Sequence, residues 1–322
     1  MRDPQLSSVE FVDRNLAQAI AEKCFGIQAT ASELPGERDR NFLLTAGGGA
    51  KFVLKIANAN EEREALEAQN AMLEHLTGRV EFCPRVVPAL SGKRIEVVDG
   101  RLVRVLTYLP GKPLATVETQ SPELLCDLGR KLGRLSRALV GFDHPGAHRA
   151  LYWDLAEGEK VLGKYGAQIK QGWLRELVSR YGASVSSESG WKSKLRKSVV
   201  HGDANDHNVL VDEDKVVGLI DFGDVVYSYT VGDLAIAIAY VILGKADPYA
   251  AAAPVIAGYR EEFELNREEI DALWPLVRLR LCMSVCIAAH QQAQQPENEY
   301  LGISQCLIEE TLPRLVATDG HR

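Results

Sequence analysis

Apolar runs in the first third of the chain are short and broken by glycine, whereas those that follow recur at helical spacing. Residues 42–57, FLLTAGGGAKFVLKIA, set two apolar runs around Gly47, Gly48 and Gly49, which predicts a β-hairpin. The stretch LPGERDRNF, residues 34–42, connects that hairpin to an earlier strand. A second hairpin is expected over residues 93–108, where IEVV and LVRVLTYL flank the turn pair Asp99 and Gly100. Between the hairpins, residues 61–76 carry Leu66, Met72, Leu73 and Leu76 at helical spacing, and Gln69 completes the stripe.

Pro110 and Gly111 end the strand-rich part, so a boundary is expected near Leu109, dividing the chain into residues 1–109 and 110–322. Beyond it, Leu124, Leu125, Leu128, Leu132, Leu135 and Leu139 form one stripe, and Ser121 before Pro122 is a good helix start. Residues 142–157 are irregular, with Asp154 near a helix start. Asp233 is placed to cap or brace an apolar helix over 234–243, with capping favoured. Asp247 and Pro248 open another helix, and WPLVRLRLCMSVCIAAHQQAQQ is strongly apolar on one side. No internal repeat or low-complexity tract is present, and only the ends and residues 183–190 look loose. The expected class is α+β, a small antiparallel sheet followed by a mostly helical lobe.

Composition narrows the function. With 46% hydrophobic and 25% charged residues the chain is an ordinary globular protein. The net charge of -7 argues against a nucleic-acid partner, and the basic run Lys192, Lys194, Arg196 and Lys197 has no interleaved aromatics and reads as a solvated face. No N-terminal segment resembles a signal peptide and no apolar run of membrane-spanning length is expected, which points to a cytoplasmic location without a membrane partner. Cys24, Cys83, Cys126, Cys282, Cys286 and Cys306 form no CxxC pair and read as buried thiols, although Cys282 and Cys286 share a helix face. No pattern specifies an oligomeric state.

The candidate chemistry lies in HGDANDHNVL, residues 201–210, and VVGLIDFGD, which ends at Asp224. A short loop and a hairpin would bring Asp203, Asn208 and Asp221 together. Phosphoryl transfer to a hydroxyl needs positioning and charge neutralisation, which a carboxylate facing the hydroxyl and hard oxygen ligands for Mg²⁺ supply. In kinases the loop Asp takes the acceptor proton while the loop Asn and a second Asp hold metal. Lys55, inside the apolar FVLKIA, requires an anionic partner. In kinases that partner is phosphate, and a helix carboxylate orients the lysine. Here Gln69 occupies the orienting position, with Glu62 next in rank and Glu67 as a further alternative.

At these residues the chain resembles the aminoglycoside phosphotransferase and choline kinase family, whose loop reads HGDxxxxN followed by an apolar strand and IDxxD. The matching residues are His201, Gly202, Asp203, Asn208, Ile220, Asp221 and Asp224, and the resemblance spans nearly the whole chain. It implies a bilobal protein-kinase-like fold, Asp203 as catalytic base, Asn208 and Asp221 as Mg²⁺ ligands, and His201 as a brace. It places Gly36, Arg38, Arg40 and Asn41 over the nucleotide phosphates, and a hinge at Thr107 and Leu109 against the base of ATP or GTP. The acceptor would face Asp224, Tyr227 and Trp153, with Glu261, Glu262 and Glu264 as further acids. GDVVYSYTVGDLAIAIAY and the HP and WD pairs of residues 142–157 look most like the hydroxylysine kinase branch. The expected activity is therefore transfer of a γ-phosphoryl group to a small amine-bearing alcohol, 5-hydroxylysine first. Homoserine, choline or ethanolamine, and an aminoglycoside are the alternative acceptors. A silent nucleotide-binding protein and a hydrolase are the alternative classes.

Overall fold

A computed structural model describes residues 13–36, 39–187, 189–294 and 304–317. The N-terminal lobe comprises α1 (Arg14–Phe25), β1 (Ala29–Leu34), β2 (Arg40–Ala46), β3 (Lys51–Ile56), α2 (Arg63–Leu76), β4 (Val86–Val87), β5 (Glu96–Val98) and β6 (Arg101–Thr107). Its antiparallel sheet runs β1-β2-β3-β6-β4, with β5 also paired to β6. Both expected hairpins form. Asp99 at φ 48 and Gly100 at φ 75 adopt the left-handed pair that a two-residue hairpin turn requires.

The strand alternation divides the sheet's chemistry. Phe42, Leu44, Leu54, Ile56, Val103 and Val105 pack on Ala17, Ile20 and Ala21 of α1. On the other face, Asn41, Lys55 and Arg104 are successive partners across β2, β3 and β6, forming a polar row. Leu106 on that same face joins Met72 and Leu73 of α2 in a core that continues into the C-terminal lobe.

That lobe contains β7 (Lys112–Pro113), α3 (Pro122–Ala138), α4 (Gly158–Tyr165), α5 (Gly172–Ser187), β8 (Lys197–Val200), β9 (Val209–Asp212), β10 (Lys215–Leu219) and β11 (Val226–Tyr229). It continues through α6 (Gly232–Val241), α7 (Pro248–Glu262), α8 (Arg267–Gln294) and α9 (Gln305–Ala317). The caps follow the sequence: the Ser121 hydroxyl accepts the Leu124 N–H, and the Asp247 carboxylate accepts those of Tyr249 and Ala250. Two small sheets, β10-β9-β7 and β11-β8, carry the HGDANDHN loop between β8 and β9.

Several expectations change. The stretch that looked loose is helical as far as Ser187, because Val178, Tyr181 and Val185 of α5 are buried in the core. Among the described residues α8 alone is long and apolar enough to cross a membrane, contrary to the sequence expectation, but it is mostly buried inside the protein and serves as the core helix. Cys282 and Cys286 are free, buried thiols on it. The basic run is largely exposed, as expected, and Arg196 within it also pairs at 2.5 Å with Glu269, whose side chain is wholly buried. Glu261 and Glu262 face Arg130, Arg134 and Arg137 of α3 rather than a ligand.

Helices α3 and α7 approach until their backbones touch. A Cβ on Gly258 would lie 1.9 Å from the Cys126 carbonyl oxygen, and one on Gly129 would lie 2.0 Å from that of Val255. Gly258→Ala is therefore expected to lower stability by about 1–3 kcal/mol through overpacking. Gly163→Ala, at a helical position where an added Cβ meets nothing within 4 Å, is expected to raise it by about 0.5–1 kcal/mol. Urea denaturation of the two variants beside the parent checks both signs.

Candidate active site

The loop from His201 to Asn208 is fixed from both sides. The Asp233 carboxylate accepts the N–H groups of His201 at 3.0 Å and Gly202 at 2.8 Å. Asp233 thus braces the loop instead of capping its own helix, whose N-cap is Val231 with no side-chain bond. His201 Nδ1 accepts the Asp203 N–H at 3.2 Å, which puts the ring proton on Nε2, donating to the Ile220 carbonyl at 3.0 Å. The ring meets Phe222 edge-on at 4.6 Å. Gly202, at φ +82, leaves room for the Asp224 carbonyl, which a Cβ would meet at 2.2 Å. His201 is accordingly the expected brace, and the loop is locked to the turn Asp221–Asp224.

Asp203 is held through both oxygens. Oδ1 accepts Arg280 Nη2 at 2.5 Å, and Oδ2 accepts the side-chain amides of Asn205 at 2.9 Å and Asn208 at 2.8 Å. Arg280 is only 1% exposed, against 20% for Asp203. Arg280 also donates to the Trp153 carbonyl at 3.1 Å, and its guanidinium lies 4.2 Å from the Trp153 ring centroid. Burial pushes the Asp203 carboxyl above the ordinary range; Arg280 pulls it down, and Asp224 and Asp221 raise it further. Sequence reading missed Arg280, although an arginine in the strongly apolar WPLVRLRLCMSV was a signal of a buried charge.

Asn208 commits its amide nitrogen to Asp203, donating to both the carbonyl and the carboxylate, so its Oδ1 is the atom that can serve a cation. The Ile220 N–H donates to the Asn208 carbonyl at 2.9 Å, which draws Asp221 alongside. Asp221 has φ 59 and ψ 74, left-handed values uncommon outside glycine and concentrated at functional sites. Its carboxylate is half exposed and accepts Lys55 Nζ and the Gly223 N–H, each at 3.3 Å. The donor set fits Mg²⁺, which takes one or two carboxylates and completes its shell with water and substrate phosphates.

Gln69 does not orient Lys55. Its carbonyl accepts from Arg104, the cross-strand partner of Lys55, and Asn70 Oδ1 accepts from the same guanidinium at 2.8 Å. The reason is reach: arginine extends from β6 to α2 and satisfies both buried amides, and Lys55 turns to Asp221. Glu62 stands at the N-cap of α2, and Glu67 faces Arg63 at 3.8 Å.

The remaining candidates divide. Gly36 packs against Asn41: a Cβ there would lie 2.5 Å from Nδ2, which donates to the Pro35 carbonyl at 3.3 Å. Asn41 therefore ties the 34–42 connection to the Lys55 row, and Arg38 lies outside the described residues. Thr107 is engaged with Arg85 through its N–H and its hydroxyl, fixing the strand end that leads to Leu109. Asp224 is buried beside the loop, and Trp153 packs on Val200 and Val226. Strand alternation turns Tyr227 away from Trp153, so it stacks on His148 at 4.5 Å and leaves the group proposed for the acceptor. Arg149, also missed, donates to the Gly223 and Val225 carbonyls and lies 3.7 Å from Glu61.

Comparison with known proteins places the chain in a family. A model described as the phosphotransferase enzyme family matches residues 30–273. Hydroxylysine kinase of Danio rerio is 31% identical, covering 94% of this chain and 89% of its own. Homoserine kinase of Rhizobium meliloti (strain 1021) is 28% identical over 76% of this chain and 73% of its own. Among solved structures, an amicoumacin kinase in complex with AMP-PNP and Ca²⁺ superposes with a TM-score of 0.72 at 16% identity, covering 95% of this chain and 92% of that one. The extent of the family match and the similarity to the Danio rerio enzyme lead to one conclusion: the chain belongs to the phosphotransferase enzyme family.

Proposed function

We propose that this phosphotransferase moves the γ-phosphoryl group of Mg²⁺-bound ATP or GTP to the hydroxyl of an amine-bearing amino acid, 5-hydroxylysine first. The observation that carries the reading is the convergence of Asp203, Asn208, Asp221 and Lys55, brought together from β3 and the two loops. The amino-acid acceptor is supported by the similarity to hydroxylysine kinase, and homoserine is the second reading on the same ground.

The chain's own groups divide the work. Asp203 accepts the acceptor hydroxyl's proton, and Arg280 with the Asn205 and Asn208 amides keeps its carboxylate in one orientation. Lys55, resting on Asp221, is the cation available to the phosphates. Asn208 Oδ1 and Asp221 would hold Mg²⁺, which supplies charge neutralisation for the polyphosphate. Asp224, buried beside Asp203, adds the negative charge that an ammonium-bearing acceptor favours. The hinge approach through Thr107 and Leu109 is the proposed seat of the base.

Nucleotide consumption should be followed with ATP or GTP and MgCl₂ across 5-hydroxylysine, homoserine, choline, ethanolamine and an aminoglycoside. Turnover is expected with 5-hydroxylysine above the rest. Asp203→Ala should lower kcat roughly 10²–10⁴-fold, the usual contribution of a general base, with nucleotide affinity retained. Turnover by the variant at the parent rate, or phosphate release needing no acceptor, would sink the assignment.

Arg280 gives a separate expectation. Arg280→Met leaves the Asp203 carboxylate uncompensated in a buried setting, so stability should fall by about 3–5 kcal/mol. The Asp203→Asn and Arg280→Met pair should recover part of that loss, measured as a coupling energy in a double-mutant denaturation cycle. Strict additivity would show that the pair contributes nothing.

A further inference from the structure

Arg104 is a buried cation that takes no part in those steps. It is 2% exposed on β6 and its hydrogen-bond partners are neutral: Nη1 donates to Asn70 and Nη2 to Gln69, while Nε has no partner. A guanidinium removed from water and held by amide oxygens alone is costly, because a buried charge is ordinarily matched by a counter-charge. Burial disfavours its charged form, and only the fields of Asp39, Asp221 and Glu61 oppose that.

The sheet register decides what this charge acts on. Lys55 is directly opposite Arg104 across β3 and β6, and Asn41 is opposite Lys55 on its other side. Cross-strand partners share a face with Cβ atoms about 5 Å apart. Two cations therefore stand side by side, and α2 offers them amides where a carboxylate would cancel one charge. Lys55 is left with Asp221 as its anion.

We propose that Arg104 is a positioning residue for the nucleotide's phosphates: clamped by Gln69 and Asn70, it keeps Lys55 off α2 and adds its charge to the field drawing a polyphosphate onto Lys55. This inference rests on the reading of Lys55 and Asp221 as the phosphate end of the nucleotide site. Gln69 is then matched to Arg104, since a glutamate there would neutralise it.

Titration calorimetry with AMP-PNP and GMP-PNP in MgCl₂, with adenosine and guanosine as phosphate-free competitors, tests the idea. Q69E adds a carboxylate to the clamp. It should weaken binding of the better triphosphate analogue about tenfold, as one added charge at close range implies. Nucleoside binding should be unchanged and Tm equal or higher, because the new carboxylate pairs with Arg104. R104K, which keeps the charge but cannot donate to both Gln69 and Asn70, should retain more triphosphate affinity than R104M, and R104M should follow Q69E. A purely structural Arg104 predicts that Q69E leaves triphosphate affinity intact whatever its Tm, and that result overturns the inference alone. Equal losses of triphosphate and nucleoside binding overturn it as well. A parent protein that binds neither analogue overturns the nucleotide-site reading and this inference with it.

Discussion

The crowding of carboxylates around one loop is the constraint on which the site depends. Asp203, Asp221, Asp224 and Asp233 come from a loop, a turn and the first turn of a helix, and Asp203 feels both Asp221 and Asp224. Like charges at close range in a partly dry setting oppose folding unless each finds a donor or a cation. The surrounding architecture supplies them by different means. Asp233 accepts backbone N–H groups of the loop it supports, Asp203 is matched by a buried arginine and two amide donors, and Asp221 by the strand lysine.

This arrangement explains why the two lobes cannot be understood separately. Lys55 lies on the N-terminal sheet and Asp221 in the C-terminal lobe, 166 residues apart in sequence, and their ion pair crosses between the lobes. Leu106 and the α2 residues Met72 and Leu73 extend the same connection in apolar form. The exposed pair of Arg130 with Glu261 contributes little by comparison, since solvated ion pairs are weak. What holds α3 to α7 is the glycine contact, where the backbones meet directly.

Local chemistry made much of this readable in advance. Gly47–Gly49 and the Asp99 and Gly100 pair specify turns because left-handed backbone is available there, so the hairpins followed from the sequence. Ser121 and Asp247 cap their helices through hydroxyl and carboxylate groups a few residues from the amides they accept. The loop residues Asp203 and Asn208 meet because five positions of chain and their own side chains suffice to bring them together. Gln69 shows where such reasoning fails. Its helix position was right and its partner was wrong, because Arg104 reaches α2 from a strand whose register no local pattern encodes.

Turns, caps and amphipathic stripes were thus determined within a few residues of chain, where backbone geometry and hydrogen-bonding reach act alone. So were the identity of the loop and the chemistry its side chains permit. Which charges neutralise one another was decided only by the folded structure. Arg280 reaches Asp203 across 77 residues, Lys55 reaches Asp221, and Tyr227 leaves the acceptor side through strand alternation. Electrostatic partnership depends on distance in space and on exclusion of water, and neither exists until the helices and sheets have packed.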